Sequence, residues 1–219
     1  NECPEDAVDA IPALAVIIED EADSLPHAVY ALSRISREYP EAVKPVAEPL
    51  GEVILDDSLS DTVRLNATAG LGRVVGEHPS IAVEIVDDVT TLFSAENPQL
   101  RNNAIALIGD VAIIHTDVVE PYTEAIAPLL TVDDTYTRIN ASGALSRVAD
   151  DFPESVAHVT PTFIELLSDD DPRVRENGCW ALGYLSAGEA ISELEDRAQE
   201  DDNADVRKRA SWALAQINQ

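Results

Sequence analysis

Apolar residues recur along this chain at the three- and four-residue spacing of helices, and the pattern itself repeats. In DTVRLNATAGLGRVV, Val63, Ala67, Gly70, Leu71 and Val74 fall on one helical face. The arrangement returns in RNNAIALIG, RINASGAL and RENGCWALG, which open at Arg101, Arg138 and Arg175; counted from Arg64, each step is 37 residues. RKRASWALA opens at Arg207 after a shorter step of 32, and a weaker copy, LPHAVYALS, opens at Leu25, 39 residues before Arg64. Self-similarity at this period is the mark of a stacked repeat architecture.

Each unit reads as two helices. Four residues before each arginine stand Ser60, Asn97, Asp134, Asp171 and Asn203. All are good N-caps, because their side-chain oxygens can accept from the free N–H groups of the first turn. Pro98 and Pro172 follow at the first helical position, where a missing N–H costs nothing. The second helix ends near Tyr39-Pro40, His78-Pro79, His115-Thr116 and Phe152-Pro153. The first helix of the next unit then follows, in several cases with internal proline that predicts kinks or late starts. The expected fold is all-α: a right-handed solenoid of about six helix pairs, in one domain over 1–219. Approximate repeats run 4–39, 40–78, 79–115, 116–152, 153–187 and 188–219.

Composition narrows the function. The chain has 219 residues, 45% hydrophobic, so a sizeable core can form and the charge does not imply disorder. The formal net charge is −28, with 42 acidic residues against 14 basic. Such a chain repels nucleic acid and anionic membranes, and neither is expected as a partner. No apolar run approaches the ~18 residues that span a bilayer, and no secretory signal is visible, so a cytoplasmic location is expected. The excess of acid with scarce Lys resembles the cytoplasmic proteins of haloarchaea. At molar salt the Debye length shrinks to about 3 Å, which screens the carboxylates from one another. The two cysteines, Cys3 and Cys179, lack zinc-site spacing and lie about four units, or roughly 40 Å, apart in such a stack, too far for a disulfide.

At Asp171, Pro172, Val174, Arg175, Ala181, Leu182, Gly183 and Leu185 the chain resembles HEAT repeats, closest to the short type first recognised in phycobilin lyases, whose hallmark is DPxVRxxAxxALGxL. Gly178 stands where Ala is usual, and Asp205-Val206-Arg207 with Ala210, Ala213 and Leu214 fits the last copy. The resemblance implies a binding scaffold rather than one activity. It also implies that the arginine column, Arg64, Arg101, Arg138, Arg175 and Arg207, forms a structural ladder with aspartates of the turns. Asp61, Asp134, Asp171 and Asp205 are the available partners.

A second column holds Asn66, Asn103, Asn140 and Asn177, and Arg209 breaks it. These amides either face a groove and bind a peptide main chain, or face inward and bridge the units; the inward role is favoured because buried amides need partners. Trp180 and Trp212, the two tryptophans of the chain, share a column with Tyr30, Ala69, Ala106 and Gly143. The resemblance places second helices on the concave face. Trp180, Tyr184 and Trp212, with Cys179 and Arg147 as neighbours, are therefore the candidate partner-binding residues, against the alternative that the indoles pack between units.

No catalytic residue, cofactor site or metal site is assigned. His27, His78, His115 and His158 show no convergent ligand pattern, and the acidic turns lack the alternating ligands and central glycine of a calcium loop. The expected function is a non-catalytic scaffold or adaptor that binds a basic or aromatic-rich protein segment. Two rivals come from the resemblance: a lyase-like enzyme or cofactor chaperone, and a DNA-binding domain like that of certain alkylpurine glycosylases. No polar cap closes either end of the array, so flanking repeats or end-to-end self-association are also expected.

Overall fold

The computed structural model describes residues 4–20 and 23–218, and every regular element among them is helical. The chain packs as two compact units, Asn1–Val111 and Ala112–Gln219. Cys3 lies outside the described residues, so its separation from Cys179 does too.

In the first unit, Ile11–Glu19 pairs with α1 (Leu25–Ile35), the segments spanning 40–55 with α2 (Asp61–Glu77), and those spanning 79–94 with α3 (Pro98–Val111). In the second unit, residues 116–131 pair with α4 (Thr135–Asp151), 153–166 with α5 (Pro172–Tyr184), and 188–200 with α6 (Ala204–Ile217). Six helix pairs result, the all-α repeat class that the periodicity predicts.

The first helices of the pairs are broken, and proline sets where. Pro45, Pro121, Pro128 and Pro161 each stand second in a segment, and Pro49 third in Ala47–Leu55. Each proline thus lies in a first turn, whose N–H groups have no intrahelical partner anyway. The segments over 79–94 lack internal proline yet also divide. They carry Ile81, Val83, Ile85, Val86, Val89, Thr90 and Thr91, whose branched side chains lower helix propensity.

The second helices hold the core. Val63, Ala67, Gly70, Leu71 and Val74 of α2 are all buried, as their spacing predicts. Phe163 is the largest wholly buried side chain, and its carbonyl lies 3.3 Å from where a Cβ on Gly178 would stand, which accounts for glycine at that position. Four of the five expected caps form. Asn97, Asp134, Asp171 and Asn203 accept from first-turn N–H groups, whereas Ser60 makes no side-chain cap bond.

The corners between units share one backbone conformation. Tyr39, His78, His115 and Phe152 have φ of −136°, −136°, −122° and −132°, with ψ of 60–69°. A following proline excludes the helical region for three of them. His115 adopts the same conformation before Thr116, so the packing of the corner enforces it as well. The fifth corner is different. Ser186 has φ 49°, and the bonds Ser186 N–H to Gly183 O (3.2 Å) and Ala187 N–H to Leu182 O (3.1 Å) close a Schellman motif on α5.

Candidate functional site

The arginine column is built by a local rule. The Nη1 of Arg101, Arg138, Arg175 and Arg207 donates to the carbonyls six and five residues earlier, in the acidic turn before its own helix. Arg64 departs from the rule and donates through Nε to Ile54 O at 2.9 Å.

Two arginines also reach the next unit. Arg138 forms a fork on Asp169, Nε to Oδ2 at 2.7 Å and Nη2 to Oδ1 at 3.2 Å. Arg175 repeats it on Asp201 at 2.9 Å for both bonds and adds Asp202 Oδ1 at 2.7 Å. The aspartates are not the expected Asp134, Asp171 and Asp205, nor is Asp61 among them. Asp134 and Asp171 cap their helices, Asp171 also binds Arg173, and Asp61 accepts from Asn97. The ladder aspartate stands two residues before the cap, a column reading Ser58, Ala95, Val132, Asp169, Asp201. Only its last two members carry a carboxylate.

Two members of the asparagine column join successive second helices. Asn103 Nδ2 donates to Thr68 Oγ1 at 2.9 Å; Asn177 Nδ2 donates to Ser142 Oγ at 3.0 Å and Ile139 O at 3.1 Å. Their amides are therefore committed to neighbouring helices.

The aromatic residues come together on α5 and α6. Tyr184 stands between the indoles, 6.1 Å from Trp180 and 5.1 Å from Trp212, edge-on to the latter. Trp212 packs against the backbone of Gly183, where a Cβ would lie 2.5 Å from its Cζ3. Arg209 covers both indoles, its Cζ 4.6 Å from the Trp180 ring centre and 5.6 Å from that of Trp212. Its Nη2 lies 3.4 Å from Glu176 Oε1. A cleft of about 320 Å³ adjoins, lined by Glu176, Asp205, Lys208, Arg209 and Trp212. The Nε1 of Trp180 is buried and has no hydrogen-bond partner among the described residues.

Cys179 does not belong to this surface. It is fully buried, and burial first, then Asp201 and Glu176, pushes its thiol up to about 12. Adjacent helical residues diverge by about 100°, so the turn that presents Trp180 sends Cys179 into the core. Arg147 is half-buried along α4, its Nη1 3.1 Å from where a Cβ on Gly143 would stand. Glycine in the tryptophan column here makes room for that guanidinium. Arg209 escaped the sequence reading, although its break in the asparagine column marked the place. Among the described residues no three His, Cys, Asp or Glu side chains converge as a metal site, and no helix is long and apolar enough to cross a membrane.

Comparison with known proteins agrees with this geometry. The family described as HEAT repeats matches residues 123–215. That stretch contains α4, α5 and most of α6, where the Arg–Asp forks are formed. No curated protein sequence matches significantly. Among solved structures, a computationally designed armadillo repeat protein for modular peptide recognition superposes with a TM-score of 0.80 at 22% identity, covering 95% of this chain and 100% of its own. An engineered protein gives 0.79 at 18%, covering 95% and 96%. UNC-45 from Drosophila melanogaster gives 0.81 at 16%, covering 95% of this chain and 31% of that one. The fold is that of the HEAT and armadillo-like helical repeats.

Proposed function

We propose that the chain is a non-catalytic scaffold that holds a basic segment of a protein partner against Trp180, Tyr184 and Trp212. The observation that carries this is the position of Arg209 over both indoles. The two ring faces already accommodate a cation, and a partner's Lys or Arg would meet the same electrostatics. Glu176 and Asp205 in the adjoining cleft favour positive charge. The unsatisfied Nε1 of Trp180 offers a donor to a partner's carbonyl, and leaving it unpaired costs about 1–3 kcal/mol. The likeness to an armadillo design made for peptide recognition supports the same reading.

The finer relationship, to the phycobilin-lyase type of repeat, rests on residues 171–185 and concerns the repeat rather than an activity. A high-salt cytoplasm as the working environment rests on the net charge of −28. It predicts a melting temperature that rises steadily from 0.1 to 2 M KCl; a flat response would remove it.

Both tryptophans of the chain lie in the site, so their emission reports on it alone. Titration with a Lys-Ala repeat peptide is expected to shift that emission. A Trp180→Ala/Trp212→Ala variant, its fold checked by circular dichroism, should bind the labelled peptide at least about 10-fold more weakly. Arg209→Ala removes the resident cation and should tighten binding. An unchanged affinity in the folded double variant would sink the proposal.

A further inference from the structure

We propose that Arg34, Arg37 and Arg73 form a second binding site, in the first unit, for an acidic segment of a protein partner. The chain carries 42 acidic residues against 14 basic, so an arginine without a carboxylate beside it is out of keeping with the whole. Arg138, Arg173, Arg175, Arg197 and Arg209 all have one within 4 Å. Arg34 and Arg37 are exposed and make neither ion pair nor hydrogen bond among the described residues. Arg73 bonds through Nη1 alone, to Ala69 O at 2.6 Å, Ser33 O at 3.2 Å and Ser36 Oγ at 3.3 Å. Its Nε and Nη2 have no partner among those residues.

These bonds tie α2 to the end of α1 and bring Arg73 to the two arginines there. The three charges act on one another. The Arg73 guanidinium is held below its usual range, by burial first and then by Arg37 and Arg34. Folding alone does not call for the cluster. The C-terminal end of α1 favours positive charge, but Arg73 already occupies its Ser33 carbonyl. Two further unpaired arginines add repulsion.

Tyr30 completes the surface. It is 54% exposed and precedes Arg34 by four residues and Arg37 by seven, so the three share one face of the chain. Exposed tyrosine and arginine are the residues on which protein interfaces most depend. Guanidinium forks bind carboxylates bidentately. Charge complementarity therefore names the occupant: a peptide with several Asp or Glu, its carboxylates on the arginines and an apolar side chain on Tyr30. This site is independent of the aromatic one and opposite to it in charge.

The test uses a fluorescein-labelled peptide of repeated Glu-Glu-Gly-Phe, with a Lys-Lys-Gly-Phe control, read by anisotropy in 0.1 M KCl. The Glu peptide should bind the full chain, without shifting tryptophan emission. Arg34→Gln/Arg37→Gln should weaken it at least about 10-fold and leave the Lys peptide unchanged. Arg37→Gln alone, at an exposed position beyond the helix, serves if the double variant fails to fold, with a loss of about 3-fold expected. Absence of binding to wild type, or equal binding by folded variants, overturns the proposal. So does a concentration-dependent dimer abolished by the same substitutions without peptide, which would give the surface to a second copy of the chain. Failure of the Lys-Ala peptide to shift tryptophan emission would bear on the aromatic site only.

Discussion

Arg175 and Asp201 form a two-bond fork in which the carboxylate is wholly buried and the guanidinium 9% exposed. Every face of that guanidinium is used. Nη1 holds the carbonyls of Asp169 and Asp170, while Nε and Nη2 take Asp201 and Nη2 also takes Asp202. One side chain thus fastens its own turn and the next unit together. Asp201→Asn keeps the shape and the Asn203 N–H contact but leaves a buried arginine without its main counter-charge. Removing one partner of a buried pair costs about 3 kcal/mol. Urea unfolding in molar KCl should show that loss. Asp171→Asn, which still caps its helix, should stay within about 1 kcal/mol. Equal effects of the two would refute the distinction between ladder and cap.

The same pair predicts the acid limb of stability. Burial raises the Asp201 carboxyl, but the bonds from Arg175 and from the Asn203 N–H outweigh it and hold the group below 3.8. A carboxyl depressed in the folded state contributes fully above its unfolded value, and the contribution is lost as pH falls through the folded one. The stability difference between wild type and Asp201→Asn should therefore be level from pH 7 to about 4 and shrink below about 3.8. Relief of the overall −28 repulsion on acidification affects both proteins alike and cancels in the difference. A difference that vanishes already near pH 6 would show that Asp201 is not the group held by Arg175.

How much of this was legible can be told from the turn at 169–171. The arginine column is plain in the sequence, because each copy needs a guanidinium at the same carbonyls of its turn. The acceptor is not. Asp169, Asp170 and Asp171 are chemically identical, yet the first pairs with Arg138, the second lends a carbonyl to Arg175 and the third caps α5. Only the backbone path separates these roles. The tryptophans were legible as a column, but Arg209 reaches them from the following helix. Cys179 was misplaced for a simpler reason: being next to Trp180 in sequence turns a helical residue away from it.

Ser186 carries a conformation its residue type resists. At φ 49° it closes the Schellman end of α5, a position where glycine avoids the clash of Cβ with its own carbonyl. Ser186→Gly should raise stability by about 0.5–1 kcal/mol, after allowance for the freer unfolded chain. Ser186→Ala should bring no gain. Thermal unfolding of the two variants side by side checks this; a destabilised Gly variant would mean that the serine hydroxyl holds the corner.

Gly183 and Trp212 make a stricter test of how α5 and α6 fit. A methyl group at residue 183 would stand 2.5 Å from Cζ3 of Trp212 and 3.0 Å from the Ala213 Cα, closer than real contacts allow. Gly183→Ala should therefore cost about 2 kcal/mol in the wild-type background, since overpacking forces the helices apart. The indole accounts for the closest contact, and Trp212→Leu removes it. In that background the added methyl meets mainly backbone, while alanine is favoured over glycine inside a helix by about 1 kcal/mol. The same substitution should then be neutral or stabilising. A double-mutant cycle by urea denaturation should give a coupling of at least about 1.5 kcal/mol between the two positions. A coupling near zero would mean that Trp212 does not seat on Gly183, and the aromatic cluster would lose the packing that fixes its geometry.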